Sequence, residues 1–307
     1  MNENYAYIRN KVEQIVQGTV DAIEPFENVP NNKVYKIIAN GKPYIFKTYK
    51  QRTWPEDGKL AYVNRQLIEH HIRCAKLIVF DRSDPYFETG YLIEEYVPGT
   101  NAALIAFDLE SGSEFYAKLA RLVSQVHAIR VRNYGYIGSG EAGYTSFSAF
   151  MSDNYDDISN ALICHGLFEQ SRLNLLKEQI MARLRLCDNL PSVLNHGDLS
   201  TKNVMIDAQG ELTLIDWDDA MSYNWMAELA RLTYWMKFQY NDQQVYNTFR
   251  SSFLAHYTTD YNAIDFEDFE HAYHIWIGLD HLNYYVNTPQ YEQALAYFNE
   301  CVARVED

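Results

Sequence analysis

Between Val193 and Ala220 the chain reads Val-Leu-Asn-His196-Gly197-Asp198-Leu-Ser-Thr-Lys-Asn203-Val-Met-Ile, followed by a second apolar run that ends Leu-Ile-Asp216-Trp217-Asp218-Asp219-Ala. Asp198 and Asn203 stand five apart on either side of a short loop before a strand, and Asp216 ends the strand that returns. Pairing of Val204–Ile206 with Leu212–Ile215 as a hairpin brings the entrance of one strand beside the exit of the other, so Asn203 and Asp216 can meet one cation. Two hard oxygen ligands, with water and phosphate oxygens completing the shell, suit Mg²⁺. Asp198 is then free to accept a proton from a hydroxyl. A catalytic-loop Asp, an Asn five residues on and a second Asp after a hairpin is the pattern phosphoryl transfer uses. His196 reads as an anchor for the loop backbone rather than as a proton carrier.

Such a site needs a lysine for the nucleotide phosphates. Lys47, in Tyr44-Ile45-Phe46-Lys47-Thr48, fits; it follows an Asn40-Gly41 hairpin signal between the runs Lys33–Ala39 and Pro43–Tyr49. Its apolar neighbours would make an unpaired ammonium costly, the alternative being a side chain that snorkels to the surface. Glu56, Asp57 and Glu69 are the available carboxylate partners, none of them well placed. Asn31-Asn32-Lys33 stands where a Gly-rich phosphate loop would be.

The supporting elements follow from periodicity. Trp54–Gly58 is turn-like, Leu60–Ile72 carries helical spacing, and Lys76–Phe80 and Gly90–Tyr96 read as strands ending at the Val97-Pro98-Gly99 break. Beyond it, Ser113–Ile129 is an amphipathic helix and Arg130–Ser148 a Gly- and Tyr-rich loop. Helices are expected over Phe150–Ile163, over Leu167–Leu186 and from Met226 onward. The layout is α+β in two lobes, a small antiparallel β lobe with one helix over 1–97 and a larger, mainly helical lobe over 98–307. At about 150 residues per domain, 307 residues suit two such lobes.

Composition narrows the partners. Twenty-six basic against 41 acidic residues give a net charge of −15, which disfavours a nucleic-acid binder and favours cationic ligands. The four cysteines form no CxxC pair, so reduced thiols are expected. No run approaches the roughly 18 apolar residues of a membrane span, and a soluble, cytoplasmic protein is expected.

Residues His196–Asp216 resemble the motif of the aminoglycoside phosphotransferase and choline kinase superfamily, which has a protein-kinase-like fold. Tyr62-Val63-x-Arg65, the loop Tyr134-Gly-Tyr-Ile-Gly-x-Gly-x-x-Gly-Tyr144-Thr145, Ile215-Asp-Trp-x-x-Ala-Met221 and Ile277-Gly-Leu-Asp280-x-Leu282 look like the hygromycin B phosphotransferase branch. The resemblance implies Asp198 as catalytic base, Asn203 and Asp216 as Mg²⁺ ligands, Lys47 on the ATP phosphates, and main-chain groups of Glu95 and Val97 facing the adenine. It implies a kinase that moves the γ-phosphate of ATP to a hydroxyl of an aminoglycoside such as hygromycin B, as antibiotic-resistance enzymes do.

For a cationic acceptor the candidate contacts are Asp218, Asp219 and Asp153, with Tyr144, Trp217 and Trp235 for stacking. Asp153, Asp156 and Asp157 could instead open a helix and favour its dipole, and Trp235 could be core. His271, His274 and His281 with Asp280 lie on an ordinary apolar stripe, which argues against a metal site there. Choline, ethanolamine, homoserine or a macrolide are alternative acceptors, and a non-catalytic nucleotide-binding module is the alternative from another class.

Overall fold

A computed structural model describes residues 3–27, 32–259 and 263–306; Asn31, expected in the first turn, lies outside them. In chain order the elements are α1 (Glu3–Val16), β1 (Val20–Pro25), β2 (Lys33–Ala39), β3 (Lys42–Thr48), α2 (Lys59–Glu69), β4 (Leu77–Asp81), β5 (Tyr91–Glu95) and β6 (Thr100–Asn101). Next come α3 (Leu109–His127), β7 (Gly135–Tyr136), α4 (Phe147–Cys164), α5 (Gln170–Leu184) and β8 (Val193–Asn195). The short strands β9 (Val204–Ile206), β10 (Leu212–Leu214) and β11 (Met221–Tyr223) lead into α6 (Trp225–Gln239), α7 (Gln243–His256), α8 (Ala263–Tyr285) and α9 (Tyr291–Glu306). The fold is α+β, as expected. It divides into two compact units, one of Met1–Ile105 with Gly138–Gly140 and Lys202–Asp219, the other of the remainder.

The first unit is built on an antiparallel sheet of order β1-β2-β3-β5-β4. Asn40 and Gly41 both take positive φ, 50° and 70°, closing β2 onto β3 with Ala39 opposite Lys42, as a two-residue Asn-Gly turn requires. Strand alternation then sorts the side chains. Phe46 and Ile93 point to one face, where Ile8 and Val12 of α1 cover them. Tyr49 and Leu92 point to the other, where they meet Leu60 of α2 and Trp217. The period-2 rule places Lys47 and Glu94 on that second face. A three-stranded ribbon, β10-β9-β6, belongs to the same unit. Gly99, φ 141°, lets the chain pass so close that a Cβ there would lie 2.4 Å from the Ile206 carbonyl oxygen.

The second unit packs α3 on α7, and α8 on α4, α5, α6 and α9, around a small sheet of order β7-β11-β8. Its core is aromatic, with Phe147, Phe150, Tyr223, Phe249, Phe253 and Tyr273 all buried. The helix expected from Phe150 begins at Phe147, where Ser146 Oγ accepts the Ala149 amide. Asp153, Asp156 and Asp157 therefore sit in the middle of α4, and the helix-dipole reading of them fails.

Candidate active site

The hairpin β9–β10 sets the first half of the site. Val204 pairs with Leu214, and one step further the Ile215 amide donates to the Asn203 carbonyl at 3.0 Å. Asn203 is thus opposite Ile215, with Asp216 next along the chain. Asp216 adopts φ 63°, a conformation few non-glycine residues take, and its exposed carboxylate receives Lys47 Nζ at 2.7 Å. Lys47, Asn203 and Asp216 line one cavity of about 640 Å³ together with Glu94, Glu95, Tyr96 and Val97. Val34, Ile45, Ala75, Met205 and Ile215 supply its apolar walls. Five expected residues, Lys47, Glu95, Val97, Asn203 and Asp216, are therefore brought to a single cavity of the first unit.

Lys47 is only 6% exposed. Its second partner is Asp218, with Oδ2 2.6 Å from Nζ. Burial would depress the ammonium's pKa, but the two carboxylates outweigh it and hold Lys47 well above its ordinary value. None of the three expected acids takes part: Glu56 pairs with Lys59, Asp57 with Arg82, and Glu69 accepts from Gln66 at 2.7 Å. Two expectations are corrected here. Asp218, expected to face the acceptor, is buried and engaged by Lys47 and by the Tyr49 hydroxyl at 3.1 Å. Trp217, expected to stack on a sugar, packs on the Tyr49–Leu60–Leu92 cluster and donates its indole N–H to the Leu214 carbonyl at 3.3 Å. Asp219 is half-buried at the end of the same turn.

Asp198 belongs to the second unit, on the loop that leaves β8. The backbone there is tied down from below by Glu228 of α6, whose carboxylate accepts the His196 amide and, at 3.0 Å, the Gly197 amide. Burial would raise the Glu228 pKa, but His127 first, and then His196 with its amide, outweigh it and hold the carboxyl below its ordinary value. His196 is fully buried, and its Nδ1 lies 3.4 Å from the Asp198 amide that points to it. The imidazole thus props the loop, as expected, while Asp198 remains half-buried at its tip. Sequence reasoning missed Glu228; the signal was a single acid in the otherwise apolar start Trp-Met-Ala-Glu-Leu-Ala of α6.

Two acceptor-side candidates meet in this unit. Tyr134 and Tyr144 exchange backbone hydrogen bonds of 2.8 and 3.0 Å, and the Tyr144 hydroxyl donates to Asp153 Oδ2 at 3.0 Å. Asp156 is taken by Lys177. Trp235 packs among Tyr234, Phe238 and His281. His274 bonds to the Ala230 carbonyl and to Tyr297. Among the described residues no three His, Cys, Asp or Glu side chains are grouped to hold a metal.

Residues 22–267 match the model of the phosphotransferase enzyme family. The chain belongs to that family. It is a small-molecule kinase, and the superfamily resemblance stands. No curated protein matches this phosphotransferase in sequence. In structure it is similar to a thermostable mutant of aminoglycoside phosphotransferase APH(4)-Ia in a ternary complex with ADP and hygromycin B (16% identity, 97% of this chain and 98% of that one, TM-score 0.73). A complex of another mutant of that enzyme with AMP-PNP and hygromycin B is alike at 17% identity, 97% and 98% coverage and TM-score 0.70. Choline kinase LicA from Streptococcus pneumoniae follows at 18% identity, 98% of both chains and TM-score 0.66. These likenesses establish the fold. Among the described residues no helix of the phosphotransferase is long and apolar enough to cross a membrane.

Proposed function

We propose that this kinase transfers the γ-phosphate of ATP to a hydroxyl of a small cationic acceptor, an aminoglycoside such as hygromycin B, and so belongs to the resistance type of cytoplasmic phosphotransferase. The observation that carries this reading is the shared cavity of Lys47, Asn203, Asp216 and the Glu95–Val97 strand end. Solved structures of similar fold hold ADP or AMP-PNP beside hygromycin B. In this reading residues 1–97 form the nucleotide lobe and 98–307 the acceptor lobe. The Glu95 and Val97 main chain meets the adenine, and the apolar walls flank it.

Lys47 binds the phosphates through its ammonium. Asn203 and Asp216 offer an amide and a carboxylate oxygen, a donor set that fits Mg²⁺; the ion, when bound, would neutralise phosphate charge. Asp198 orients the acceptor hydroxyl and takes its proton as oxygen bonds to the γ-phosphorus and the bond to the β-bridging oxygen breaks, releasing ADP. Because the transition state is loose, positioning and electrostatics supply most of the acceleration. Asp153 with Tyr144, and Asp219, are the proposed acceptor contacts. The net charge of −15 favours a polycation.

The test is ADP release measured over a panel of aminoglycosides and amino alcohols. Release dependent on an aminoglycoside is expected. Release with choline or ethanolamine alone would move the acceptor to another amino alcohol, and no acceptor-dependent release at all would contradict the proposal.

A further inference from the structure

We propose that Asp218, rather than any acid of α2, is the standing partner of Lys47 and keeps its ammonium in place when Asp216 turns to a metal. The inference rests on the phosphotransfer reading above and adds a positioning residue to it. Protein kinases draw the partner of this lysine from the helix that follows the strand. Here that helix has no acid on Lys47: its one acid, Glu69, is held elsewhere, as are Glu56 and Asp57 in the turn before it. Both carboxylates on Lys47 come instead from the turn after β10, at 2.7 and 2.6 Å.

The two carboxylates are not equivalent. The Asp216 side chain is 49% exposed and that of Asp218 8%. Asp216 therefore has a free path to a cation arriving in the cavity, whereas Asp218 is enclosed and fixed by further contacts. The Tyr49 hydroxyl donates to Oδ1 at 3.1 Å. Lys59, wholly buried against the face of Trp54 at 3.9 Å, donates to the Asp218 carbonyl at 3.1 Å. A buried ammonium left without a charge partner is strongly disfavoured. With Asp216 on a metal, Asp218 is the carboxylate that still holds Lys47. Remove it, and Lys47 must compete with the metal for Asp216.

The experiment follows ADP binding by calorimetry across a Mg²⁺ series in the intact enzyme, with thermal melts of each variant alongside. Asp218→Asn keeps the shape and loses the charge. It is expected to raise the Mg²⁺ concentration for half-maximal ADP binding by roughly ten- to hundredfold, the loss that goes with one hydrogen bond between charged groups. Tyr49→Phe, which leaves the carboxylate but frees it to swing, is expected to shift the midpoint in the same direction by less. Glu69→Gln is expected to leave it unmoved. A folded Asp218→Asn with the wild-type Mg²⁺ midpoint overturns the proposal, as does a Glu69→Gln shift of equal size. If Asp218→Asn does not fold, an unmoved midpoint in Tyr49→Phe overturns it. Wild type that binds no ADP at any Mg²⁺ concentration would instead remove the nucleotide reading beneath it.

Discussion

At the scale of single residues, chemistry follows from which side of a strand a group occupies. On β5 the even positions Leu92 and Glu94 share the face of Lys47, and Glu94 lines the cavity with it. Burial pushes its carboxyl up to about 7, Lys47 opposing the shift only in part. The sign follows from proton binding. Between an ordinary carboxyl value near 4.5 and about 7, the folded chain holds a proton that the unfolded chain has released, so this group's favourable contribution is complete at low pH and lost as pH rises through about 7. Melting wild type and Glu94→Gln side by side from pH 4.5 to 8 should show the wild type losing ground as pH rises; parallel curves would contradict this. The residues that spacing identified, Asp198, Asn203, Asp216 and Lys47, were legible because a short loop and a hairpin constrain them. Asp218 and Trp217 were not. They follow a residue at φ 63°, and a left-handed turn after a strand redirects the next side chains in a way no periodicity records.

At the scale of elements, tight turns announced themselves and short or sparsely apolar pieces did not. Asn40-Gly41 fixed the β2–β3 register, and β9 and β10 paired as the alternation demanded. By contrast α1 was not legible: Ile8 and Val12 are buried and Tyr5, Ile15 and Val16 pack partly buried beside them, a helical stripe hidden among charged and amide residues. Strands β8 and β11, three residues each, pair across a long sequence separation, without the short connecting loop that marks β9 and β10. The dispersed Tyr62 and Gly-loop motifs gain a physical meaning here, because a Cβ at Gly140 would lie 2.6 Å from the Tyr62 ring. The same scale holds the role of α6, whose first turns place Glu228 under two amides of the Asp198 loop. Glu228→Gln can accept only one of them and turns an amide donor toward the other. It should lose about 1–3 kcal/mol of stability, the cost of one buried unsatisfied group, and lower turnover with it. Urea unfolding and a rate assay check this, and wild-type values in both would contradict it.

At the scale of the whole molecule, the order of elements, the family match over residues 22–267 and the likeness to kinase-like phosphotransferases agree. What distinguishes one acceptor from another is finer. In the proposed reading it would lie in a few side chains such as the Tyr144–Asp153 pair, Tyr144 from the Gly-rich loop and Asp153 from α4, brought together by tertiary contacts rather than by local pattern. The central claim is simpler and rests on Asp198. Asp198→Asn removes the proposed base yet keeps the loop's shape, so ADP binding measured by calorimetry should match wild type while acceptor-dependent ADP release falls by about 10²–10⁴-fold, the range for a positioned proton acceptor. Release at the wild-type rate from that variant would contradict the account.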